Sequence, residues 1–222
     1  QWWTHAFGIS YHGSSSGNYR AFCGCADVLI MDGFVDESGN EYIRIDGDFT
    51  SIYNLKNMEG LINANDEISV ILRGHLILEE FLNLWIEKNI NYNIFDDGFF
   101  SFKTKLNISK KIGLPSDYFD ALNSINTLRN KLSHRIGYQV QESELNVIKS
   151  KVDRIDIGDS LLNCEQITTT RVYHIGGNAE SETRNWQSSD INNKLVIIFV
   201  ILAIKLTTWI QKEFIYRNIS YR

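Results

Sequence analysis

The chain has 222 residues, 43% hydrophobic and 22% charged, the make-up of an ordinary globular core and not of a disordered or fibrous chain. Its formal charge is -5 and its pI is near 5.6, which argues against broad, nonspecific nucleic-acid binding but leaves room for a small, locally basic site. Three cysteines, Cys23, Cys25 and Cys164, do not make a disulfide framework. A reducing, cytoplasmic compartment is therefore expected, and no signal-peptide pattern is visible in a chain that begins at Gln1.

Residues 1–60 are rich in Gly, Ser and Tyr and read as a β-rich N-terminal segment. Phe34 to Ile45 has the pattern of a hairpin with Ser38-Gly39-Asn40 in its turn. Residues 61–222 read as a helical domain. Ile68, Ile71, Leu72, His75, Leu78, Leu82 and Ile86 recur at spacings of three and four, which predicts a helix to about Asn89. Asn65 or Asp66 is the candidate cap. A second helix is expected over Ser101 to Ile112, stopped by Gly113-Leu114-Pro115. A third, capped by Ser116 or Asp117, ends near His134 to Gly137, and a fourth covers Gln141 to about Val152. Residues 157–189 read as an insertion, with a strand over Gln166 to Ile175 and an exposed loop from Gly176 to Ser189. Asp190 then caps a last helix to about Phe214. Its apolar run, Leu195 to Ile204, is broken by Lys205 and is shorter than the roughly 18 residues a membrane span needs, so a buried core helix is expected.

The third helix ends on Leu128-Arg129-Asn130-Lys131-Leu132-Ser133-His134. Arginine carries a fixed cationic fork suited to phosphate, and histidine exchanges a proton near neutral pH. Together they can cleave RNA through its own 2′-hydroxyl without a metal or other cofactor. His134 is the candidate acid or base, and Arg129 the group that stabilises charge on the phosphate. Asn130 can donate to the phosphate or fix the histidine tautomer. Arg129 and His134 are about 140° apart on an ideal helix, whereas Asn130 and His134 share a face. A distorted last turn, or a symmetric dimer that brings two copies of the motif together, would unite the groups. The plain alternative is structural, since cationic side chains favour a helix C-terminus.

Lys103, Lys105, Lys110, Lys111, Arg129, Lys131 and Arg135 cluster in one span of an otherwise acidic chain. Such a patch can attract phosphate or serve as a solvated helix face. Lys103, Lys105, Lys131 and Arg135 are the candidate RNA contacts. His5, His12, Cys23 and Cys25 are a poor zinc set, because only Gly24 separates the two thiols. His75 lies among apolar residues and reads as a satisfied core histidine. Trp2, Trp3, Tyr11 and Tyr19 can stack bases or pack the N-terminal segment, and packing is favoured without a basic groove around them.

The motif over 128–134 resembles the signature of the HEPN superfamily, compact helical domains with Arg, a polar residue and a following His. Gly74 to Leu82 resembles the first long helix of the branch that includes the mannitol operon repressor, and Phe99 to Leu106 with Lys111 to Leu114 resembles its middle section. The resemblance covers about Ile68 to Gly137. It implies a HEPN-like helical bundle with a small β-rich N-terminal addition. It further implies a homodimer and a metal-independent ribonuclease site at Arg129, Asn130 and His134. Glu79 or Glu80 would be an acidic helper on the first helix. A toxin or defence role follows, with tRNA or mRNA as substrate, a cognate antitoxin or regulatory partner, and no membrane. Repressor-like members of the family are regulators, so a non-catalytic interaction module is the alternative.

Overall fold

The structure, a computed structural model, describes residues 8–12, 19–22, 34–35, 40–42, 47–92, 94–95, 98, 100–157, 163–175 and 178–221. It is mainly helical, with seven helices among the described residues. Short strand stretches at Gly8–His12 (β1), Tyr19–Phe22 (β2), Phe34–Val35 (β3) and Asn40–Tyr42 (β4) join Ile167–Ile175 (β5) and Asn178–Arg184 (β6) in backbone pairing, in the order β3-β4-β1-β2-β5-β6. Most of residues 1–46 lies outside the described residues. So do the expected hairpin turn at Ser38-Gly39, the thiols Cys23 and Cys25, and the aromatics Trp2 and Trp3.

Helical structure begins ahead of residue 61, with Phe49–Ile52 (α1) and Leu55–Ile62 (α2). Phe49, Ile52, Met58 and Leu61 are buried in the common core, so this stretch packs with the bundle. The long helix Glu67–Ile90 (α3) starts where its sequence directs: Asp66 accepts the Ser69 N–H at 2.8 Å. Phe102–Lys111 (α4) is capped in the same way by Ser101. Ser116–His134 (α5) is not capped by Ser116 or Asp117, which both lie within its first turn; Pro115 holds the N-cap position. Glu142–Arg154 (α6) starts where Glu144 accepts the Gln141 N–H at 3.2 Å, and Ile191–Tyr216 (α7) where Asp190 accepts the Asn193 N–H at 2.8 Å.

Two expectations about 157–189 change. Asn178–Arg184 pairs antiparallel with β5. Its polar run carries no apolar alternation, so nothing in the periodicity marks it as a strand. Trp186 is buried, not exposed in a loop, with Lys149 and Lys194 each 5.5 Å from its ring.

α7 is apolar on every side and runs through the core, buried from Leu195 to Thr207. By length and composition it could cross a membrane, but 78% of its most apolar stretch is buried within the protein. Lys205, which interrupts that stretch, is fully buried. Its ammonium donates at the end of α6 to the carbonyl of Ile155 at 2.7 Å and to that of Val152 at 2.8 Å, which also accepts the Ile155 N–H. α7 crosses α3 at Gly74, where a β-carbon would lie 2.4 Å from the Phe199 ring.

Candidate functional site

α5 stays regular to its last residue, with the Arg135 N–H bonded to the Lys131 carbonyl at 3.0 Å. Distortion of the last turn, one of the two ways to unite the groups, is absent, so Arg129 and His134 project about 140° apart. Arg129 is half-buried. Its Nη1 donates to Asn130 Oδ1 at 3.2 Å, while its Nε is shut from solvent with no hydrogen-bond partner. Among the described residues no carboxylate pairs with it. His134 is exposed at the end of the helix, followed by exposed Arg135 and by Ile136, which is fully solvent-exposed. A single chain thus brings Arg129 and Asn130 together and leaves His134 apart.

The other candidates fall into two groups. Lys103 is exposed on α4; it donates to Asn123 Oδ1 at 2.6 Å and lies over the Phe119 ring at 4.7 Å, beside Lys110 at 4.3 Å. Arg135 and Glu80 are exposed as well. Lys105, by contrast, points inward and pairs with Glu79 at 2.7 Å. That leaves neither Lys105 for a solvent-facing patch nor Glu79 as a free carboxylate. Lys131 is held by Glu144, which also accepts the Tyr138 hydroxyl. These contacts tie the loop after His134 back onto α6. Burial pushes the Glu144 carboxyl up, but the Lys131, Tyr138 and Gln141 donors outweigh it and leave it below its ordinary value. Burial, then the hydrogen bond to Glu144, pushes Tyr138 up to about 12.

Periodicity gave no warning of the polar pair beneath the motif. His75 is 6% exposed, stacks on Phe102 with ring centroids 4.1 Å apart, and places Nε2 3.3 Å from Asn126 Oδ1. His75 is therefore the satisfied core histidine that its apolar neighbours suggest. Asn126 precedes Arg129 by three residues and Asn130 by four, so the three side chains adjoin on α5. Polar residues at that spacing on a part-buried helix are the signal that could have revealed Asn126.

Asn126 meets His75, and Leu132 lines a groove with Ile68. α5 therefore runs antiparallel to α3, which puts Arg129 about level with Leu72. Here α3 leaves an apolar stripe uncovered: Ile68, Leu72 and Leu76 are 53%, 41% and 62% exposed. The groove itself, about 500 Å³, is also lined by Asp66, Glu67 and Asp190, a charge that disfavours phosphate. Among the described residues no three His, Cys, Asp or Glu side chains gather as a metal set, and the candidate zinc ligands His5, Cys23 and Cys25 lie outside them.

No protein-family model, curated protein or solved structure matches the chain.

Proposed function

We propose that the protein is a metal-independent endoribonuclease of HEPN type, a HEPN-like bundle with a small β-rich N-terminal addition, acting in the cytoplasm as a toxin or defence effector. Arg129 carries this reading. Among the described residues no carboxylate pairs with this half-buried guanidinium, whose Nη1 meets only the neutral amide of Asn130, so its charge is not neutralised and is available for a phosphate. Asn130 steadies its fork. His134 serves as the acid or base for attack by the RNA 2′-hydroxyl.

The two groups diverge on one helix, so the reading requires a homodimer in which His134 of one copy completes the site of the other. The uncovered stripe Ile68, Leu72 and Leu76, on the stretch of α3 about level with Arg129, supports that arrangement, because exposed aliphatic patches of this kind mark contact surfaces. Lys103 and Arg135 are the remaining candidates for guiding tRNA or mRNA. A cognate antitoxin or regulatory partner would cover the same face.

The divergence of Arg129 and His134, with Lys105 and Lys131 engaged by carboxylates, also favours a second reading: a non-catalytic regulatory module of the mannitol operon repressor type. Incubation with tRNA and total RNA in EDTA separates them. The ribonuclease reading expects wild-type protein to leave 2′,3′-cyclic phosphate ends and Arg129→Ala and His134→Ala to leave the RNA intact. A folded dimer that cuts nothing supports the regulatory module.

A further inference from the structure

Two lysines of α4 share one aromatic ring of α5. Lys103 Nζ stands 4.7 Å and Lys110 Nζ 4.3 Å from the Phe119 centroid, which leaves the ammoniums no more than about 9 Å apart and within reach of each other's charge. Both residues are exposed. The ring holds cations without neutralising them, and the Asn123 oxygen that accepts from Lys103 at 2.6 Å belongs to a neutral amide. Among the described residues no carboxylate pairs with either lysine. The acids of α5 lie on its other exposed side: Asp117 meets Arg154 of α6 at 3.1 Å, Ser124 meets Lys151 of α6, and Asp120 falls between them on the same face.

Helix stability does not account for this pair. Lys110 lies in the last turn of α4, where a cation favours the macrodipole, but Lys103 lies in the first, where it opposes it. Two like charges held this close repel each other, and an anion set between them relieves that repulsion while accepting from both. The pair is also aligned with the cleavage motif. Phe119, Asn123, Thr127, Asn130 and His134 follow at steps of four, four, three and four and fall within an arc of about 80° on a regular helix. α5 is regular to its last residue, and none of the five is buried, so they form one open track. His134 stands about 16 Å farther along it than Asn123, the reach of a few nucleotides of an extended strand.

We propose that Lys103 and Lys110 form a phosphate subsite on the Phe119 ring, remote from the cleavage groups, which grips the RNA backbone a few nucleotides from the scissile bond. This rests on the ribonuclease reading and adds a length requirement to it. A dinucleotide seated at His134 cannot reach the two lysines, whereas a longer single strand laid along α5 meets both ends of the track.

The test measures binding of a fluorescent single-stranded dodecanucleotide of RNA to the full chain carrying His134→Ala, which lacks the proposed acid-base group. Adding Lys103→Gln and Lys110→Gln is expected to weaken binding by about tenfold, the worth of one hydrogen-bonded charge contact. It is also expected to flatten the slope of log affinity against log salt by about 0.7, the share of one phosphate in a single strand. Lys56→Gln, which removes an exposed charge from α2, is expected to do neither. In the cleavage assay, with His134 in place, the advantage of the dodecanucleotide over a dinucleotide in kcat/KM is expected to fall by a similar factor in the double variant. Affinity and slope that survive the double substitution overturn the proposal and leave the ribonuclease reading standing. An equal loss in Lys56→Gln does the same, because it reports net charge alone. RNA bound through the two lysines but never cut by wild type upholds the subsite and overturns the ribonuclease reading. RNA bound by no form of the folded protein overturns both.

Discussion

Lys205 and Ile155 meet across 50 residues of sequence, the buried ammonium 2.7 Å from the carbonyl oxygen. With the contact to Val152 at 2.8 Å, one side chain of α7 closes the end of α6. Lys205→Met keeps the bulk and removes the donor, leaving the Ile155 carbonyl without it and the Val152 carbonyl with the Ile155 N–H alone. The expected loss is about 3 kcal/mol, read from urea denaturation. A variant as stable as wild type would show that these carbonyls find other donors.

The Glu79–Lys105 pair is mostly enclosed, with side chains 21% and 10% exposed. Glu79→Gln strands the lysine and is expected to destabilise by about 2 kcal/mol, below the range for a fully buried pair. Glu79→Gln combined with Lys105→Met is expected to be less harmful than the two single effects added together. Additive losses in that double-mutant cycle would return Glu79 to consideration as a free carboxylate.

Leu72→Glu puts a charge in the centre of the uncovered α3 stripe. Under the proposed dimeric ribonuclease reading, wild type is expected to sediment as a dimer and Leu72→Glu as a folded monomer that has lost cleavage with Arg129 and His134 intact. A wild-type monomer would remove the basis for a site shared between copies.

The loop after the motif is tethered by Glu144 from both sides of neutrality. Glu144 has a lowered folded pKa, so its contribution is present above its unfolded value of about 4.5 and is lost as the pH falls through the folded one. Tyr138 has a raised folded pKa. Its contribution is present below about 10 and is lost as the pH rises toward 12. Protection of the 135–141 amides, measured against their intrinsic exchange rate at each pH, is expected to be greatest inside that window. Tyr138→Phe is expected to remove the alkaline change only; an unaltered alkaline limb would assign it elsewhere.

Gly74→Ala drives a methyl into Phe199, where the ring stands 2.4 Å from the β-carbon position. With Phe199 itself buried, overpacking of about 2 kcal/mol is expected, measured as a lowered Tm.

Where local chemistry decides structure, the sequence was readable. Asp66 and Asp190 cap the helices they precede, and the three-and-four spacing of α3 runs to Ile90. Reading failed where the answer depends on which helix lies opposite. Lys105 counts as a surface cation until α4 is seen to turn Phe102, Lys105, Leu106 and Ser109 toward the core. The Lys131–Glu144 and His75–Asn126 pairings join residues 13 and 51 positions apart, and no periodicity encodes them. Arg129, Asn130 and His134 were found as a motif, and their divergence was foreseen from helix geometry. What local pattern could not foretell is that the last turn of α5 stays regular and keeps them apart.

The central position of α7 has a consequence during synthesis. α3 is finished more than 100 residues before the helix that covers Gly74 and meets it at Phe199. Until residues 191–216 clear the ribosome, the apolar side of α3 has no permanent cover, and contacts between segments so distant in sequence form slowly. A nascent chain in that condition invites chaperones and aggregation. The bundle can therefore close around α3 only once α7 has been made, which places its final packing late in synthesis.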